Sequence, residues 1–227
     1  MNSYDLIMDL VGKVSDISDL PAVGAYNIRA DGCGTARQNS ENIEIITKTD
    51  KPGIDIMVKP GTKGETVYIP AVITHGGVDD LVYNDFFVGE GADVTIVAGC
   101  GIHNCGDCDS EHDGIHTFHV GKNANVHYEE KHYGEGNGTG SRILNPVTNI
   151  EVGENSVFTL DTVQIKGVDS TVRNTNVSME AGSKLYVIER IMTDGKQHAE
   201  SNMEVCMNGS GSSAQIVSRS VGKGESS

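Results

Sequence analysis

The sequence predicts an all-β chain wound as a parallel β-helix, and two observations carry that expectation. The segment Val88-Gly89-Glu90-Gly91-Ala92-Asp93-Val94 returns as Val120-Gly121-Lys122-Asn123-Ala124-Asn125-Val126, and a shortened copy occupies Val152-Gly153-Glu154-Asn155-Ser156-Val157. The copies lie 32 residues apart (121 − 89 and 153 − 121), so each period is one supersecondary unit stacked on the next. The second observation is what fills the periods: two short β-rich runs each, glycine or asparagine corners, and almost no helical stretch. An antiparallel sandwich also accommodates short alternating strands, but it requires no fixed period.

Taken in order, residues 1–20 form a helical segment, with Leu6, Ile7, Leu10 and Val11 on one face and Asp5, Asp9 and Lys13 elsewhere. After Pro21 the β pattern takes over, and residues 21–227 are expected to form one solenoid. Strands are expected near 66–74, 81–88, 94–99, 115–120, 126–132, 147–152, 157–164, 171–179, 185–192, 199–207 and 214–220. The chain ends at Val221-Gly222-Lys223-Gly224-Glu225-Ser226-Ser227, just after a strand and with no capping element, so it reads as truncated and as open to self-association through its last coil.

Seventeen Lys and Arg against thirty-two Asp and Glu give a net charge of −15, which argues against a nucleic-acid partner because no basic stripe is there to neutralise phosphates. No apolar run approaches the ~20 residues a bilayer requires, and the N-terminus is acidic where a secretory signal would be positive, so a cytoplasmic protein without membrane insertion is expected. Five unevenly spaced cysteines in a reducing compartment disfavour a disulfide framework and turn attention to thiolate chemistry and metals.

Three of those cysteines fall in one segment read as a loop, Cys100, Cys105 and Cys108, with His103, His112, His116 and His119 around them. Cys-x4-Cys-x2-Cys is the spacing of three ligands in plant-type ferredoxins, and Cys105-x2-Cys108-x3-His112-x3-His116 equally suits tetrahedral zinc; spacing does not choose between iron and zinc. Set against this, buried cysteines are often small hydrophobes and loop histidines are often solvated. Cys100 continues the phase of Val94, Ile96 and Ala98, which points its sulfur inward, whereas Cys105 and Cys108 are expected to be exposed. Cys33 and Cys206 are candidates for a fourth ligand or, more simply, free thiols.

On the strand from Val126, Glu130 and His132 share the face of Val126 and Tyr128. Either both point inward, where they need partners, or the strand ends by Glu130 and both reach water at a corner. Asp161 and Glu189 raise the same question on strands whose faces are mixed. Gly136-x-Gly138-x-Gly140 lacks the following helix of a phosphate-binding loop and reads as a flexible corner.

Several motifs occur together in an order that resembles a known family. Ala98-Gly99-Cys100, the turn Lys122-Asn123-Ala124-x-Val126, Tyr128, Gly138-Thr139-Gly140, Ile143-Leu144-Asn145-x-Val147-Thr148 and Gly153-Glu154-Asn155-Ser156 are similar to the core of the SufB/SufD scaffold proteins of iron-sulfur cluster assembly. The resemblance spans about 80–165 and extends through Ser218-Arg219-Ser220. It implies a right-handed parallel β-helix and a non-catalytic scaffold that receives sulfur and iron and builds a transient iron-sulfur cluster. The implied partners are a SufC-like ABC-type ATPase, a sulfur donor, and a SufB/SufD-like second subunit or a second copy. By the same resemblance Cys100 matches the sulfur-accepting cysteine, and His132 or Glu130 falls at a polar position lining the internal passage. Cys105 and Cys108 depart from the better-known bacterial members and suggest a shorter relative of the anaerobe or archaeal type. Two other readings compete: a stand-alone iron-sulfur or zinc protein using Cys100, Cys105 and Cys108, and a β-helical carbohydrate-active enzyme. The last finds little support, because paired carboxylates and aromatic platforms are thin.

Overall fold

In a computed structural model, which describes residues 3–227, the chain forms one helix followed by a parallel β-solenoid of about six turns. Helix α1 (Ser3–Ser15) precedes β1 (Ala25–Ala30), β2 (Cys33–Gln38), β3 (Ile43–Thr47), β4 (Gly53–Val58), β5 (Lys63–Ile73), β6 (Asp79–Val88), β7 (Asp93–His103) and β8 (Ser110–Val120). There follow β9 (Asn125–Glu135), β10 (Arg142–Leu144), β11 (Val147–Val152), β12 (Val157–Lys166), β13 (Ser170–Met179), β14 (Lys184–Gly195), β15 (His198–Met207) and β16 (Ser213–Gly224). One sheet runs β16-β14-β12-β9-β7-β5-β1-β2; the other runs β10-β13-β11-β8-β6-β4-β3, with β15 on β13. From β4 onward the chain alternates between the two sheets, one strand to each per rung, except that the rung after β9 gives the second sheet two pieces, β10 and β11, both paired with β8. Among the described residues only β1–β2 and β3–β4, before the repeat begins, pair antiparallel.

The 32-residue period is the rung itself. Val94 pairs with Val126, Cys100 with His132, Asn84 with His116 and Phe86 with Phe118, all at one-period separation. Even-numbered residues of β6–β9 face the interior; burial alternates accordingly in β6, β8 and β9, while in β7 the run Ile96–Ile102 is buried on both faces because α1 covers the outer one. The turns Gly89-Glu90-Gly91-Ala92 and Gly121-Lys122-Asn123-Ala124 stack in the same way; Asn123 takes the left-handed conformation (φ 56°) that Gly91 (φ 66°) fills one rung earlier.

One end of the interior is apolar. Phe86 stacks on Phe118 with ring centroids 4.3 Å apart, and Tyr128 and Phe158 pack against Phe118 at 4.7 and 5.1 Å. Stacked pairs of this kind contribute about 0.5–1.5 kcal/mol beyond their buried area. Outside the sheet, α1 lies over β5, β7 and β9. Its buried residues Leu10, Val11 and Val14 join Ile28, Ala30 and Val72 in a second core. Gly99 allows this approach, since a Cβ there would sit 2.3 Å from the Val14 carbonyl oxygen.

Two expectations are corrected. The segment around Cys100 is not one loop: Cys100 and His103 lie in β7, His112, His116 and His119 lie in β8, and only 104–109 connect them. The glycines that suggested a break at 99–101 instead face the helix. The run Gly136, Gly138, Gly140 is no flexible corner either, because it is stacked on the connection below it: Cβ atoms at these positions would fall 2.1 Å from the Asn104 oxygen, 2.2 Å from the Gly106 oxygen and 2.0 Å from the Cys108 oxygen.

Candidate functional site

Beyond the aromatic ladder the inward positions turn polar. The sheet of β7 and β9 presents Cys100, Glu130 and His132, while the facing sheet presents Asp80, Asn84, His112, His116 and Arg173, all buried. Strand β9 continues through Glu135, so Glu130 and His132 point inward rather than reaching water at a corner.

Asp80 anchors one wall. Its carboxylate accepts Arg29 Nε at 2.8 Å and Nη2 at 2.6 Å, and it receives His112 Nδ1 at 3.1 Å. Burial alone would raise the Asp80 pKa, but hydrogen bonds from Arg29 and His112 hold it well below the usual carboxylate range. With Nδ1 committed to Asp80, Nε2 of His112 is the nitrogen left for Cys100. Burial pushes the Cys100 thiol up, yet the positive charge and hydrogen bond of His112, with His132 adding to them, draw it down to about 7. Reciprocally, burial disfavours the His112 cation, but Cys100 and Asp80 outweigh it and raise its pKa to about 10. Cys100 is 6% exposed, beside an internal cavity of about 20 Å³ lined by Ala71, Ala98, His112 and His116. The fold thus places a thiolate-prone cysteine inside a closed wall, with a carboxylate-oriented imidazole beside it.

A second chain of hydrogen bonds crosses the lumen. Asn84 Nδ2 donates to His116 Nε2 at 3.3 Å, His116 Nδ1 donates to the Tyr128 hydroxyl at 2.6 Å, and Tyr128 donates to Glu130 Oε1 at 2.9 Å. Burial lowers the His116 pKa to about 4, so it acts as a neutral relay. Arg173, reaching across from β13, donates to Glu130 Oε2 at 2.8 Å and to His132 Nδ1 at 3.2 Å. Burial alone would raise the Glu130 pKa, but His132, Arg173 and His116 keep it ionised. Glu130 and Cys100 draw the His132 pKa upward against burial, yet the Arg173 donor makes Nδ1 an acceptor. Its Nε2 stands 3.7 Å from Glu130 Oε2 and has no hydrogen-bond partner among the described residues. Among the described residues Gln164, one rung further on from His132, has no hydrogen bond at either amide atom, and Arg173 Nε makes none either but stands 3.7 Å from Glu189 Oε1.

The structure divides the candidate ligands between inside and outside. Cys100, His112 and His116 face the lumen; Cys105 and Cys108 are exposed, and His103 is partly so, at the solvent end of β7. Among the described residues no three His, Cys, Asp or Glu side chains converge as a metal-binding group, so Cys100, Cys105, Cys108, His103, His112 and His116 do not form one ligand set. Cys33 and Cys206 are exposed as well.

Sequence reasoning missed Arg173, Asp80 and Asn84, and it left open the facing of Glu189, which is buried and accepts hydrogen bonds from Ser201 and Ser218 at 2.7 Å each. The signal for Asp80 and Asn84 was present: each lies one period before His112 and His116. Arg173 carried no such signal, because the segment between β9 and β13 breaks the 32-residue phase; β13 pairs with β11 at a spacing of 27, as in Val147 with Asn174.

Among the described residues no helix is long and apolar enough to cross a membrane. No curated protein matches the chain. The family model described as SUF system FeS cluster assembly, SufBD core domain, matches residues 83–227, the stretch that contains Cys100, the histidines of β8, the Glu130–His132 pair and Arg173. With the parallel solenoid and this match over more than half its length, the chain belongs to the SufBD core family and has a role in iron-sulfur cluster assembly by the SUF system.

Proposed function

We propose that the protein is a scaffold that accepts sulfur at Cys100 and joins it to iron in the lumen, both being cargo. The observation that carries this reading is the coupling of the buried Cys100 thiol to His112, itself held by Asp80, which keeps a reactive thiolate accessible near neutral pH. In the sulfur step the Cys100 thiolate attacks the outer sulfur of a donor persulfide; a Cys100–sulfur bond forms, the donor S–S bond breaks, and the donor leaves as a thiolate. His132 and Glu130, braced by Arg173, line the space into which that sulfur projects, and the unpartnered Nε2 of His132 and amide of Gln164 supply further polar groups there. The polypeptide itself carries out no turnover chemistry in this reading. A SufC-like ATPase, a sulfur donor, and a second SufB/SufD-like subunit or second copy are the partners.

Anaerobic reconstitution with ferrous iron and a persulfide-generating sulfur source, followed by visible absorbance, tests this reading. The scaffold should give labile colour that Cys100→Ser abolishes and that Cys105→Ser/Cys108→Ser retains. Colour that survives Cys100→Ser and disappears with the double substitution would instead make the exposed loop the seat of a permanent cluster.

A further inference from the structure

We propose that Cys105, His103 and Glu135 form a second nucleophilic centre on the outer surface, which takes sulfane sulfur from a persulfide donor before the lumen does. The substrate class rests on the reading above; the nucleophile itself rests on geometry. Cys105 Sγ lies 3.1 Å from His103 Nε2, and His103 Nδ1 lies 3.2 Å from Glu135 Oε1. The other Glu135 oxygen accepts Tyr133 Oη at 2.9 Å and Lys13 Nζ of α1 at 2.7 Å. This is nucleophile, base and orienting carboxylate in hydrogen-bonded series.

The carboxylate sets the tautomer. Burial would raise the Glu135 pKa, but Lys13, Tyr133 and His103 lower it, so Glu135 is ionised and accepts a hydrogen bond from Nδ1–H of His103. Nε2 then keeps its lone pair for the thiol. The arrangement is built by the repeat, since His103 and Glu135 are register partners on adjacent rungs.

The turn that carries Cys105 is fixed. The side chain of the fully buried Asn104 donates to the Cys108 carbonyl at 2.8 Å and accepts from Gly106 N at 2.9 Å, and Gly138 stacks its backbone against this turn. A large donor can reach the exposed Cys105, whereas Cys100 sits behind a β-wall covered by α1. Among the described residues no three His, Cys, Asp or Glu side chains converge here as a metal-binding group.

In the step, His103 Nε2 takes the thiol proton and Cys105 Sγ attacks the outer sulfur of R–S–SH. The new Cys105–sulfur bond forms as the donor S–S bond breaks, and the R–S⁻ leaving group recovers a proton from His103. No external oxidant or reductant enters.

The test pulses the 227-residue chain under anaerobic conditions with glutathione persulfide, quenches it, and locates added sulfur by fragment-ion mass spectrometry, with exposed Cys33 and Cys206 as internal references. Cys105 should gain sulfur about tenfold faster than Cys33, since an unassisted thiol is only a few per cent thiolate at pH 7. His103→Asn should bring that rate to within about twofold of Cys33, with added imidazole restoring part of it, while melting temperature is unchanged. Glu135 is a positioning residue: in Glu135→Ala the imidazole ¹⁵N shifts of His103 should lose the Nδ1-protonated pattern. A Cys105 rate equal to that of Cys33, or one indifferent to His103→Asn, overturns the proposal. The outcome is separable from the scaffold reading, because fast labelling of Cys105 with Cys100 never carrying sulfur sinks that reading alone.

Discussion

Cys100 and His132 are register partners on adjacent rungs, one 32-residue period apart, and His112 reaches the same thiol from the opposite sheet. The stacking that builds the core therefore also builds the site, because an inward polar residue meets its counterpart one period away. Asp80 with His112 and Asn84 with His116 repeat the relationship on the other sheet.

The thiol should titrate with its imidazole. In the wild type the pH dependence of Cys100 alkylation, quantified by isotope-coded mass spectrometry, should show a midpoint near 7. Replacing His112 with Asn removes the charge and leaves burial the stronger influence, so the midpoint should move upward toward or beyond the ordinary thiol value. An unmoved midpoint in His112→Asn would mean that another group sets the thiolate.

Arg173→Met should be strongly destabilising. It leaves Glu130, 1% exposed, buried without its cation. Breaking a buried pair in this way costs about 3–5 kcal/mol, measurable by urea denaturation. The double variant Arg173→Met/Glu130→Gln should recover most of that loss, whereas a single variant within about 1 kcal/mol of wild type would show that the pair is already hydrated.

Acid should unfold the protein through its lumen. Asp80 and Glu130 have depressed pKa values, so their stabilisation is present above the unfolded carboxylate range and is lost as pH falls below it. His116, lowered to about 4 from 6.5, acts in the same direction over a higher window: its contribution is complete above 6.5 and declines as pH falls toward 4. His112, raised to about 10, contributes below 6.5 and loses that contribution as pH rises toward 10, while Cys100, lowered from 9.0 to about 7, contributes above 9 and loses it as pH falls toward 7. In thermal melts His116→Gln should flatten the decline between pH 6.5 and 4; an equally steep decline in that variant would contradict the assignment.

Gly138→Ala should loosen the 104–109 connection. Its Cβ would fall 2.2 Å from the Gly106 oxygen, so one of two stacked backbones must move. Limited proteolysis at Cys105–Asp109 should accelerate, while Gly34→Ala, where an added Cβ meets nothing within 4 Å and the backbone is not left-handed, should leave that site as protected as in the wild type.

The period was legible because each rung repeats the same turn, and it placed β5 through β9 and β11 through β16 within a few residues. What it hid has physical causes. Gly99 and Gly101 suggested a loop because their reason for being glycine, the approach of Val14, lies far away in sequence. His112 and His116 share the phase of Phe118 and Val120, a signal of inward placement that cysteine spacing obscured. Strands β1–β4 precede the repeat and pair partly antiparallel, so no period marked them. Arg173 is supplied by a rung whose spacing shortens from 32 to 27, and only the folded stack brings it to Glu130.

The most direct test of the account is to map bound sulfur on the protein after exposure to a persulfide donor and a reductant wash that strips exposed thiols. Retained sulfur on Cys100, absent from Cys100→Ser and diminished in His112→Asn, is the predicted result. Sulfur retained elsewhere in the chain with Cys100 unmodified would contradict it.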